Sequence, residues 1–281
     1  MSAMTGKSWK VKRVNITDFH LGGLPTTPEP RTDIDTTEEA GTSQYELVVQ
    51  EVAAVYPRLR LPMKVLRLEN YIADFADTNK FCFVSEQGAL SVHDLYVTDG
   101  LDSVKLADCL VNSCEVVIPI RGSVTATMEI FAKTRTAQAY GSDPTPITDA
   151  PLMHTNVEVM SVGAHDISAD FQEFRFDVAH NIQQEVLGKT VTPTEVIQRH
   201  TVYTGGIRRA LKTQSWEATA YIGTKQDIIL QINDNQGVTK KTEFTWTDAI
   251  IEAESKPVPG LGMIVERIGW RAKKLTLAEG S

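Results

Sequence analysis

Apolar and polar residues alternate one by one over several stretches of this chain. Val124, Ala126, Met128 and Ile130 interleave with Thr125, Thr127, Glu129 and Phe131 after a turn at Arg121-Gly122. Phe174, Phe176 and Val178 interleave with Glu173, Arg175 and Asp177, and Trp216, Ala218, Ala220 and Ile222 with Glu217, Thr219 and Tyr221. Ile228, Leu230 and Ile232 follow before a turn at Asn233 to Gly237. A period of two predicts strands with one dry and one wet face. Antiparallel sheets covered on one side have this pattern, so the chain is expected to be mainly β, a sandwich or part of a barrel.

Helix signals are few. Thr192-Pro193-Thr194-Glu195 has a capping Thr, Pro at the first helical position and Glu three residues after the cap, which predicts a short helix to about Tyr203, ended by Gly205-Gly206. The competing reading is a Pro turn entering a strand. Tyr45 to Val55 is open between a short helix and a strand.

Residues 18–44 are rich in Thr, Pro, Gly and acids, with Arg31 as the only Lys or Arg. They read as a long loop or arm. A second polar stretch, Thr134 to Asp149, carries Gly141, Pro144 and Pro146 and is the best internal boundary. It divides the chain into β units at 1–142 and 143–281, a single domain being the alternative.

Composition narrows the class. With 281 residues, 42% hydrophobic and 23% charged, the chain has material for a buried core. No apolar run approaches the roughly 20 residues of a membrane span, and Met1 to Arg13 has charges with no apolar segment behind them. The protein is therefore expected to be made in a cytoplasm and to stay soluble. Cys82, Cys109 and Cys114 are an odd number, which favours reduced thiols over a disulfide framework. A net charge of −8 disfavours binding of nucleic acid through phosphates, a balance that many ordinary soluble proteins share.

Reaction chemistry is thin. The chain has no Walker loop, no G-x-G-x-x-G opening a helix, no H-E-x-x-H and no G-x-S-x-G elbow. Its six histidines are scattered, and His180, on the apolar side of its strand, is read as structural. Cys109 and Cys114 could supply two metal ligands, but a structural zinc site needs four. Asn233 to Gly237 has the outline of a calcium loop, yet Phe244 stands where the closing Glu would be, so a hairpin turn is expected. Trp270-Arg271-Ala272-Lys273-Lys274 reads as a last strand with a solvated basic end. No catalytic, metal or cofactor-binding residue is expected. A carbohydrate-binding or hydrolytic β module is the alternative, and it would need a cleft with convergent acids and aromatics.

The order of segments resembles a known family. Leu106 to Pro119, containing Val111-Asn112-Ser113 and followed by Gly122-Ser123-Val124-Thr125-Ala126-Thr127, is similar to the major tail tube proteins of long-tailed bacteriophages and archaeal tailed viruses. Phe174 to Asn181, Pro193 to Ile197, Thr204 to Ile207 and Ile251 to Trp270 continue the likeness, so that it covers roughly residues 60–275. The acidic segment 18–44 has no counterpart in it. The resemblance implies a non-enzymatic virion protein whose β units join into a barrel around a channel for DNA. It also implies partners: further copies of the chain in trimeric pseudo-sixfold or hexameric stacked rings, a tape measure protein, and terminator or distal tail proteins. DNA would be present only in transit. The wet face of Thr125, Thr127, Glu129, Glu173, Arg175 and Asp177 is the candidate lumen. Another tail component, such as a terminator, hub or distal ring protein, is the nearest alternative.

Overall fold

A computed structural model describes residues 10–14, 19–20, 23–25, 28–40, 47–68, 81–83, 89–143, 149–210, 223–233, 241–255 and 265–279. The first half contributes β1 (Lys10–Val14), β2 (Phe19–His20), β3 (Gly23–Pro25), β4 (Glu29–Ala40), β5 (Leu47–Val65), β6 (His93–Thr98), β7 (Ser103–Pro119), β8 (Thr125–Phe131) and β9 (Thr134–Ala137). The second contributes β10 (Val157–Val162), β11 (His165–Asp166), β12 (Phe171–Ala179), β13 (Gln183–Glu185), β14 (Glu195–Ile197) and β15 (Val202–Ala210). It closes with β16 (Lys225–Asn233), β17 (Lys241–Ser255), β18 (Val265–Ala272) and β19 (Lys274–Glu279).

Antiparallel ladders run without a break in the order β4, β5, β8, β7, β12, β15, β18, β17, β16, β10. Strand β7 belongs to two groups. Its first part pairs with β6 and β9, and its second part with β8 and β12. The predicted alternation explains this sheet. Val124, Ala126, Met128 and Ile130, then Phe174, Phe176 and Val178, then Ile228, Leu230 and Ile232 all turn inward and are buried.

The sheet folds back so that its dry faces meet. Phe174 and Phe176 of β12 lie 5.5 and 5.0 Å from Trp246 of β17, and Trp246 lies 5.2 Å from Trp270 of β18, at the spacings favoured by aromatic pairs. Trp270 sits on Gly205, its partner across the β15–β18 ladder. A Cβ added at Gly205 would come within 2.2 Å of the indole ring and 2.5 Å of the Arg175 carbonyl oxygen, so only glycine fits there. At the end of the same ladder Arg209 donates to Glu266 (2.6 Å), a buried ion pair directly across the strands.

Three expectations change. Segment 18–44, expected as a loop, holds β2, β3 and β4, and β4 pairs along its whole length with β5. Thr and acids cannot form a core face, but they do form a two-stranded ribbon whose backbone groups satisfy each other. The helix from Thr192 is absent. Glu195–Ile197 is a strand paired with Gln183–Glu185, and the Pro turn entering a strand prevails because Val196 and Ile197 are β-branched. The stretch Thr134 to Asp149 opens with β9, which pairs with β7.

Tyr45 to Val55 resolves as strand from Leu47 onward. The helical content of the described residues is a single 3-10 turn at His154–Asn156. The run Trp216 to Ile222 and the turn after Asn233 lie outside the described residues, although the strands flanking that turn pair at Asn233 and Lys241. Trp270 to Ala272 ends β18, and one further strand, β19, follows.

Candidate functional site

The wet face of the central sheet begins with strand register. Cross-strand neighbours align in rows: Lys64, Thr125, Val117, Arg175, Gly206, Gly269, and next to it Pro62, Thr127, Glu115, Asp177, Thr204, Arg271. A third row runs Arg60, Glu129, Ser113, Ala179, Val202, and Glu173 lies between Pro119 and Arg208. All six residues singled out in the sequence therefore share one continuous face, on β8 and β12, with β7 between them.

Charge on this face differs from charge on the whole chain. The acids Glu115, Glu129, Glu173 and Asp177 occupy the middle strands. The bases Arg60 and Lys64 flank them on β5, and Arg208, Arg267 and Arg271 on β15 and β18. The acidic balance of the chain is thus not the balance of this surface. Within it Arg175 bonds to Glu115 (2.5 Å). Asp177 faces Glu115 directly. Burial first, then the Glu115 charge, raises its carboxyl above the ordinary value, and Arg175 partly offsets this.

A groove of about 480 Å³ at the root of β4 and β5 is lined by Asp33, Tyr56, Arg58, Phe131 and residues 182–184. Its one carboxylate, Asp33, is paired with Arg58 (2.8 Å), whose guanidinium lies 4.4 Å from the Phe131 ring centre. A glycosidase needs two carboxylates across a cleft, and this lining supplies one, already neutralised. Among the described residues, no three His, Cys, Asp or Glu side chains gather as metal ligands.

A family model described as phage tail tube protein matches residues 18–272. The chain belongs to the phage tail tube family. It is a structural component of a virion tail, and the family is not one of enzymes. No curated protein matches the chain.

In this tail tube protein the residues with chemical potential serve the frame. His180 is buried; its Nε2–H donates to the Cys82 carbonyl (2.8 Å) and its Nδ1 accepts from the Thr201 hydroxyl (3.1 Å). Burial lowers its pKa, and the bond to Cys82 partly opposes that. The three cysteines are free and buried, and burial pushes the thiols of Cys82 and Cys109 up, away from the reactive thiolate.

Asn112, at the centre of the Val-Asn-Ser segment, is the extra residue of a bulge between Val111 and Ser113. Its carbonyl accepts from His180 N–H (2.7 Å), its Oδ1 accepts from Ile182 N–H (2.9 Å), and its Nδ2 donates to Glu129 (3.2 Å). A short polar residue at a bulge inside an otherwise strand-like run is the sequence signal for such a connector.

Proposed function

We propose that this tail tube protein polymerises as stacked rings and that the wet face of its central sheet lines the channel through which DNA passes. The observation that carries the reading is the placement of Thr125, Thr127, Glu129, Glu173, Arg175 and Asp177 on one unbroken multi-strand face, covered behind by the core and open in front. A face of this kind becomes a wall when neighbouring copies extend the sheet, and closure removes the exposed strand edges that would otherwise aggregate.

Division at 142/143 into two tail-tube-like units is part of the proposal. The β7–β12 ladder, where strands of the two halves meet, would be the internal counterpart of the seam between copies. Three chains would then make a pseudo-sixfold ring. Stacking of rings is a heterologous contact that does not close, so it propagates a filament. The β4–β5 ribbon is the element long enough to reach beyond its own ring. A tape measure protein inside the tube and terminator or distal tail proteins at its ends are the partners this assembly calls for.

Negative-stain electron microscopy of the purified chain at rising concentration tests the reading. Hollow tubes with a regular axial repeat are expected, and class averages of the rings would count the subunits. Particles that stay monomeric at every concentration, with and without the other tail proteins, would sink it. Single rings that never elongate would make the chain a terminator or hub instead.

A further inference from the structure

Phe81, Cys82 and Phe83 are consecutive in the chain and all buried, so this short segment is enclosed by protein on every side. Phe81 reaches the group of β1 and β6: the Arg13 guanidinium lies 4.9 Å from its ring centre, and the His93 ring meets it edge-on at 5.5 Å. Phe83 reaches the main sheet, 5.5 Å from Phe176 of β12 and 5.7 Å from Phe244 of β17. The segment is therefore a bolt that joins the two strand groups through the core. Its middle residue is the one whose carbonyl accepts from His180.

That bond also brings Cys82 to Cys114. Val178 is the cross-strand partner of Cys114, and His180, two residues on, turns inward as Val178 does. The Cys82 thiol meets the Cys114 thiol closely enough for a hydrogen bond between them, and neither side chain is reached by solvent. Cys109 is placed differently. It lies on the part of β7 that pairs with β6, opposite His93, and its Sγ donates to the Leu106 carbonyl (3.3 Å). Packing alone does not ask for a second thiol beside the first, since a free cysteine fills space as any small apolar side chain does.

We infer that Cys82 and Cys114 are a latent disulfide, reduced in the newly made chain and closed once the virion meets an oxidant of the peroxide class. A tail component leaves a cell interior in which thiols are kept reduced for surroundings in which disulfides persist. One sulfur, as thiolate, attacks a peroxide oxygen; the O–O bond breaks, a sulfenic acid forms and hydroxide leaves with the proton that the thiol gave up, as water. The other sulfur then attacks the sulfenic sulfur, so that the S–S bond forms, the S–O bond breaks and a second water leaves. Two electrons pass to the peroxide: two thiols and one hydrogen peroxide become one disulfide and two waters.

Burial sets the timing. It holds the Cys82 thiol well above its ordinary pKa, so the pair reacts slowly, and the same enclosure then keeps the closed bridge from external thiols. The bridge would fasten the bolt to β7, the strand that both groups share.

Non-reducing peptide mapping of the full chain tests the inference. The purified protein is held with excess hydrogen peroxide at mildly alkaline pH and then unfolded, and its free thiols are blocked and counted. A fall from three free thiols to one is expected, with a Cys82–Cys114 peptide pair that dithiothreitol separates. The long loop closed by the bridge should raise Tm by about 5 °C. Three surviving thiols, a bridge that uses Cys109, a bridge between chains, or sulfinic acid at either position without a bridge would each overturn the assignment. Cys109→Ala should keep both the bridge and the rise in Tm, and Cys114→Ala should lose both. A rise that persists in Cys114→Ala would show that peroxide acts elsewhere and counts against the bridge. No assembled tube is needed for these measurements, so their failure leaves the tube reading untouched.

Discussion

Gly205 and Gly206 are neighbours in sequence under opposite constraints. Gly205 lies under Trp270, and Gly205→Ala should force the indole or the sheet to move, an overpacking that costs about 1–3 kcal/mol. A drop in the urea midpoint would report it. Gly206→Ala has room and should leave that midpoint nearly unchanged.

Asn112→Ala removes the acceptor of the Ile182 N–H and one donor to Glu129, and should destabilise by about 1–3 kcal/mol in the same assay. His180 carries a pH dependence. Its folded pKa lies below the ordinary 6.5, so the unfolded chain takes up a proton first as pH falls. Its contribution is complete above 6.5 and declines below it, by at most about 1.4 kcal/mol per pH unit. Urea midpoints measured from pH 7.5 to 5 should fall less steeply for His180→Gln than for the parent chain.

At this scale the sequence was informative about what turns inward, since burial follows apolarity at Phe174, Phe176 and Ile130. It was silent about Arg208 and Arg267, because the Gly205-Gly206 pair reads as a breaker. Here Gly205 serves packing beneath Trp270.

Elements were legible where one face is dry. The runs at 124–130, 174–178 and 228–232 announce themselves because the core sorts their residues by period. Strand β4 was read as part of a loop for the same reason in reverse: Thr, Asp and Glu along Glu29–Ala40 give no period when no core face exists. The capping signal at Thr192 failed because Pro at a first helical position and Pro in a turn look alike, and the two-stranded pairing of Gln183–Glu185 with Glu195–Ile197 decided between them.

The root of the ribbon is tied to the sheet by Arg31 to Glu129 (3.1 Å) and Arg58 to Asp33 (2.8 Å). These ties are partly exposed and worth at most about 1 kcal/mol each. Arg31→Ala should therefore leave global stability within about 0.5 kcal/mol while speeding amide hydrogen exchange in residues 32–40, and added salt should act in the same direction.

For the molecule as a whole, composition and segment order indicated a structural β protein, and the family match agrees. The boundary near residue 142 was drawn from Pro and Gly content, a guide to where the backbone turns that carries no information about pairing across it. That pairing is now visible, since β7 of the first half is hydrogen-bonded to β12 of the second.

Strand β7 also passes, on a single backbone, from a group with β6 and β9 into the sheet with β8 and β12. Neither group can melt without tearing that strand from partners held by the other. Thermal denaturation should accordingly show one calorimetric transition with matching van't Hoff and calorimetric enthalpies, and proteolysis near residue 143 should yield fragments that stay together until denatured. Such a molecule is an all-or-none mechanical unit, suited to a position in a chain of many copies where one partly opened member would be the weakest link.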